Sequence, residues 1–127
     1  MKIFFLVFLI FTMFLSPSAS FASKVDLKPC IQKAHCVREE WDVRNIENPF
    51  DEIKEIIEKT PRTKIVEING DYLHAEATSK WMKYVDDLEI SYFPLLNKFL
   101  IRSESRVGES DLGVNQKRID LIRLKMF

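Results

Sequence analysis

Four stretches between Thr63 and Ser105 have strand-like composition, and the links joining them are only two to four residues long. No other feature narrows the fold as much. Parallel strands need a crossover of about a dozen residues or more, so links this short allow only antiparallel hairpins. The stretches are Thr63 to Asn69, Tyr72 to Ser79, Tyr84 to Phe93 and Lys98 to Ser105, divided by Gly70-Asp71, Lys80 to Lys83 and Pro94 to Asn97. They predict a four-stranded meander. Side chains alternate across a sheet, so the link lengths fix which residues face each other. Ile68, Leu73, Ile90 and Ile101 fall in one row, with Val66, Ala75 and Leu88 beside them and Tyr92 opposite Phe99. That is one apolar face.

Two helices flank the meander in sequence. Asn48-Pro49 supplies a cap and a first helical residue, and Asp51 and Glu52 suit the positive end of the helix dipole. Phe50, Ile53 and Ile57 then share one face, and Lys59 and Pro61 mark the end. The second helix runs from about Asn115 to Lys125, with Ile119, Ile122 and Met126 in a stripe and Asn115 as a possible cap. The fold class is α+β, a four-stranded antiparallel meander with both helices packed on its apolar face.

The N-terminus reads differently. One charge, Lys2, precedes an apolar run from Ile3 to Leu15, then Ser16-Pro17-Ser18, then small residues Ser20 and Ala22 on either side of Phe21. This is the pattern of a secretory signal peptide cut after Ala22. The run is 13 residues long, short of the roughly 20 that span a bilayer. No cysteine follows the cut, so no lipid anchor is expected. Residues 23–127 then form a single domain with no transmembrane segment, exported to the periplasm or secreted. That portion carries 18 basic and 19 acidic side chains. The balance argues against a nucleic-acid binder and against a polybasic membrane-surface protein.

Residues 23 to 48 show no clear period and read as a looped segment, with Trp41 buried against the domain. In an exported chain Cys30 and Cys36 read as a disulfide. The rival reading is a metal site, since His35 adjoins Cys36 and His74 lies downstream, but the spacing fits no zinc pattern. No metal or cofactor is implied.

Function is sought on the polar sheet face and in the loop after it. The register lines up Glu67, His74, Glu89 and Arg102 in one row and Glu76, Asp87 and Glu104 in another. Cross-strand ion pairs on a solvated face account for such rows; a ligand surface is the sharper reading. Asp86 and Asp87 point to opposite faces and share no proton, so Asp86 is expected to cap a loop or meet a helix residue. His74 with Glu89 is a weak candidate base and orienter, but no serine stands in a nucleophile elbow. The segment RSESRVGESDLGVNQKR, Arg102 to Arg118, is the most unusual. Gly108 and Gly113 have phosphate-loop spacing, yet Val114 and Asn115 stand where Lys and Ser/Thr should follow, which rejects a nucleotide loop. A polar loop entering a helix N-terminus remains, where anions are attracted. Arg102, Arg106, Asp111, Asn115, Lys117 and Arg118 are the candidate ligand-binding residues.

DYLHAEATS, YVDDLEI and RSESRVGESDLGVNQKRI, in that order, closely resemble the uncharacterised family catalogued as domain of unknown function 1499. The likeness extends from about residue 29 to 124 and includes an N-terminal C-P-x-x-x-N-C-V-like segment, here Cys30 to Val37. His35 replaces the usual Asn, and Lys80-Trp81-Met82-Lys83 replaces a more aromatic or apolar hairpin. The matching residues include His74, Asp86, Asp87, Arg102, Ser103, Arg106, Asp111, Asn115 and Arg118. The resemblance implies exported or membrane-attached relatives and no established activity, substrate or cofactor.

Three functions follow as expectations. The first is a non-enzymatic envelope domain binding a partner protein or small anionic ligand. The second is a hydrolase-like enzyme using His74 and Glu89, with Arg102 as electrostatic stabiliser. The third is a purely structural envelope factor. An intact mass of the exported protein is expected to match a chain starting at Ser23 and lacking two hydrogens; a mass including Met1 to Ala22 would overturn the cleavage reading.

Overall fold

The computed structural model describes residues 26–127, so the expected signal segment lies outside the described residues. Strand β1 (Cys36–Asp42) leads into helix α1 (Pro49–Glu58), then β2 (Thr63–Asn69), β3 (Tyr72–Thr78), β4 (Val85–Phe93), a 3₁₀ turn (Pro94–Leu96), β5 (Lys98–Ser105) and helix α2 (Val114–Met126). The sheet order is β1-β5-β4-β3-β2, and every neighbouring pair is antiparallel. The class is α+β with two helices, as expected, but the sheet has five strands and not four.

The additional strand is β1, which pairs with β5 from Cys36 opposite Glu104 to Asp42 opposite Lys98. Its sequence, CVREEWD, hides the alternation because the core-side position between Val37 and Trp41 is Glu39. That carboxylate is satisfied locally: it accepts from Trp41 Nε1 at 2.9 Å and Gln116 Nε2 at 3.0 Å, and pairs with Arg123. An edge strand tolerates such charge, which also deters pairing with a further chain.

The meander register is as expected for Ile68–Leu73, Leu73–Ile90, Ile90–Ile101 and Tyr92–Phe99. Gly70 takes the left-handed conformation (φ 57°) that the two-residue turn requires. One departure is a bulge in β2. Ile65 pairs with Ala75 and Glu67 with His74, leaving Val66 as the extra residue, with 43% of its surface exposed. Ile65 and Val66 are adjacent and both apolar; alternation admits one inward, and the bulge puts Ile65 there.

Both helices cover the apolar face. Ile53 and Ile57 of α1 and Ile119 of α2 are fully buried against Leu73, Leu88, Ile90, Phe99 and Ile101. Tyr92 bridges the layers, stacked on Phe50 and edge-on to Phe99. Asn48 does not cap α1 through its side chain; it precedes Pro49 in a left-handed conformation, and its carbonyl accepts from Glu52 N–H. Trp41 is buried, with Arg123 over its ring.

Cys30 is bonded to Cys36, which removes both sulfurs from any metal reading. No helix among the described residues is long and apolar enough to cross a membrane. Two stability effects follow. Phe99→Ala should cost about 3–5 kcal/mol in chemical denaturation, since the ring is wholly enclosed. Cys30→Ser with Cys36→Ser should cost only about 2 kcal/mol, because the closed loop is short.

Candidate functional site

The sequence candidates divide into two networks on opposite faces of the sheet. On the polar face, His74 and Glu89 are register neighbours, as expected. Their side chains engage other groups. His74 Nε2 lies 2.7 Å from Asp87 Oδ1. Glu89 accepts from the Tyr72 hydroxyl at 2.8 Å and, more distantly, from Arg102 at 3.4 Å. Arg102 also donates to Glu104 at 3.0 Å, and its side chain is only 8% exposed although it lies on the polar face. Arg106 clamps Asp87 with two bonds, of 2.9 and 2.8 Å, and reaches Glu76 at 3.0 Å.

Glu76, Asp87, Glu89 and Glu104 thus engage Arg102, Arg106 and His74. The two arginines, expected to bind a ligand anion, pair with the protein's own carboxylates, while the buried Arg102 Nε has no hydrogen-bond partner among the described residues. The electrostatics of the face agree. The Arg106 guanidinium, aided by His74, holds the Asp87 carboxyl below its ordinary value of 3.8 against the opposing effect of burial. Burial and then Glu89 push the Tyr72 hydroxyl well above the ordinary phenol range.

The second network lies on the helix side, beneath the start of α2. Asn115 is the hub and is completely buried. Its Oδ1 accepts from Ser103 Oγ at 2.6 Å and Arg118 at 2.8 Å. Its Nδ2 lies 2.7 Å from Asp111 Oδ2, 2.8 Å from Ser105 Oγ and 3.2 Å from the His35 carbonyl. Arg118 also donates to Ser103 and, at 2.7 Å, to Asp86 Oδ2, the helix partner expected for that aspartate.

Asn115 is therefore not the cap of α2. The helix begins one residue earlier, after Gly113 (φ 80°). Asp111 takes the capping role, accepting from Gly113 N–H at 2.8 Å and Asn115 N–H at 3.1 Å. Burial raises its pKa, but the Asn115 side chain and these N–H groups outweigh that and hold it low. The anion expected at this helix N-terminus is the protein's own. The same region ties down the disulfide loop: Ser105 N–H donates to the His35 carbonyl, Asp111 N–H to Ala34, and His35 Nδ1 to Gly108.

Arg106 is exposed but bonded to carboxylates; of the candidates, Lys117 and Arg118 border open space that a ligand could fill. They line a cleft of about 550 Å³ bounded by α2, the α1–β2 link and the β3–β4 hairpin. Pro61, Ala77, Val114, Leu121 and Ile122 supply apolar wall. Arg62, Lys80 and Lys125 join Lys117 and Arg118, against a single carboxylate, Asp86. Arg118 is neutralised by Asp86, while the other four cations have no carboxylate within 4.0 Å among the described residues. Sequence reasoning missed Arg62, Lys80 and Lys125. The spacing of Lys117, Leu121 and Lys125, one turn apart each, carried the signal for the helix side of the cleft; Arg62 and Lys80 arrive from loops distant in sequence.

Fold and networks define a small α+β domain whose distinctive polar residues are internal fasteners beside a basic, apolar-walled cleft. The chain belongs to the family described as protein of unknown function (DUF1499), which matches residues 26–126. Comparison with curated proteins and with solved structures gave no match.

Two outcomes test the networks. Asn115→Ala should lower stability by about 3 kcal/mol, because it strands several buried partners at once. Asp87 and Asp111 release protons more readily when folded than when unfolded. Their contribution is therefore complete above the ordinary carboxylate range and lost as pH falls through the lower folded values. Melting temperature should be flat near neutrality and fall on acidification, less steeply in Asp87→Asn.

Proposed function

We propose that this protein is an exported, non-enzymatic binding domain that takes a small anionic amphiphile in the cleft beside α2. The observation that carries the reading is four cations without carboxylate partners around an apolar-walled cavity. A purely polar anion would leave the walls of Leu121, Ile122 and Ala77 against water. A neutral apolar molecule would leave Arg62, Lys80, Lys117 and Lys125 unused. A ligand with a phosphate or carboxylate head and a short apolar body satisfies both, and the volume is in the usual range for small-molecule sites. Arg118, fixed by Asp86, Ser103 and Asn115, is a rigid part of the wall against which the four unpaired cations stand.

Export rests on the apolar run of residues 3–15, cut after Ala22, and on the disulfide, which suits an oxidising compartment. The domain then comprises residues 23–127. The polar sheet face serves as an ion-pair network that stiffens the sheet.

Decyl phosphate is the probe. Calorimetric titration should show saturable binding that weakens with salt. Arg62→Glu with Lys117→Glu should weaken it by about tenfold or more, equivalent to about 1.4 kcal/mol. Arg106→Ala should lower the melting temperature and leave binding intact. Absence of binding, or equal loss in the Arg106 variant, would overturn the cleft reading.

A further inference from the structure

The β3–β4 hairpin is the most exposed apolar feature beside the cleft. Trp81 is 83% exposed, Met82 66% and Tyr84 50%. The tip is held in a defined shape: Ser79 N–H donates to the Tyr84 carbonyl, Tyr84 N–H donates to Ser79 Oγ, and Lys83 sits at φ 57°. The Lys80 ammonium lies 5.1 Å from the centre of the Trp81 ring. A Trp and a Met at a fixed, projecting tip, bracketed by two lysines, are placed to leave water for something else.

The charges around this tip are one-sided. Lys80, Arg62, Lys117 and Lys125 line the cleft, and an adjoining groove brings Lys64 and Lys83 beside Arg62. None of the six has an ion-pair partner within 4.0 Å among the described residues. Of the carboxylates lining the cleft and this groove, Glu76 is engaged by Arg106 and Asp86 by Arg118; Glu52 and Glu55 lie in a separate groove with Lys125. The whole chain has equal numbers of acidic and basic residues. Its near-zero net charge therefore conceals a strongly basic end. On α2, Leu121 at the cleft and Leu124 add exposed apolar surface.

We infer that this end of the molecule, centred on Trp81 and Met82, docks on the surface of an anionic phospholipid bilayer. Trp settles at the boundary between headgroups and acyl chains, where its ring is buried and its N–H stays hydrated. Lysine and arginine beside it are drawn to the negative headgroup layer. An acidic protein would match the charge but not the shape. A stable protein interface needs about 800 Å² on each side, and a hairpin tip offers only two fully projecting apolar side chains. The inference goes beyond the cleft reading and does not need the cleft to be filled.

The test uses protein purified after export and vesicles of phosphatidylcholine alone or in equal parts with phosphatidylglycerol. The chain has two tryptophans, and Trp41 is only 5% exposed, so a shift in emission on adding vesicles reports Trp81. Co-sedimentation should rise at least about tenfold with phosphatidylglycerol and fall with salt. Emission should move to the blue. Trp81→Ser with Met82→Ser should lose most of the partitioning with an unchanged melting temperature and unchanged decyl phosphate binding. Parent and variant share one N-terminus, so their difference reads the hairpin alone. Equal partitioning of parent and variant, or no preference for phosphatidylglycerol, would overturn the inference. So would retention on a polyglutamate peptide without vesicle binding, which would make the face a protein-docking surface. Vesicle binding without decyl phosphate binding would sink the cleft reading and leave this one standing.

Discussion

One buried amide holds the C-terminal half of this fold together. Asn115 has no contact with water, and both ends of its side chain are used. It joins β5, the loop from Arg106 to Gly113, the disulfide loop through the His35 carbonyl, and α2 through Arg118. A buried amide is tolerated only when its hydrogen bonds are made, so each partner constrains the others. This explains why Ser103 and Ser105 sit on the core side of a strand, where aliphatic residues are the usual choice. They are the acceptors and donors that the amide demands.

The charged residues follow a second logic. The sheet face pairs its carboxylates with Arg102, Arg106 and His74, and Asp86 absorbs Arg118. Six cations without carboxylate partners, Arg62, Lys64, Lys80, Lys83, Lys117 and Lys125, line the cleft and the groove beside it. Net charge, the quantity a composition reports, averages over this separation and misses it. Arginine fits the paired positions because its planar fork meets a carboxylate with two bonds, as Arg106 does with Asp87. Lysine dominates the unpaired ones.

Much of the fold was legible in the sequence, for identifiable reasons. Short links set the meander, and parity set its rows, so that His74, Glu89 and Arg102 fall together as expected. Parity failed at Val66, where two adjacent β-branched residues required a bulge. It failed again at β1, because Glu39 occupies a core-side position and finds its partners on α2, far along the chain. Site residues were less legible. The segment from Arg102 to Arg118 stood out as unusual, but its residues face two sides of the sheet, and most act as fasteners. Arg62 and Lys80 carry no local pattern; only the folded arrangement of two separate loops brings them to Lys117 and Lys125.

The pairing of β1 with β5 has a consequence for assembly order. β1 leaves the ribosome early, yet its partner strand lies about sixty residues further along the chain. The meander can close hairpin by hairpin as it appears, because each turn is local. The first strand must wait, and its Glu39 and Trp41 wait with it for Arg123 and Gln116 of the last helix. The domain is thus sewn shut by its two ends meeting: a chain truncated before β5 would leave its opening strand with nowhere to go, and one truncated before α2 would leave Glu39 without Gln116 and Arg123.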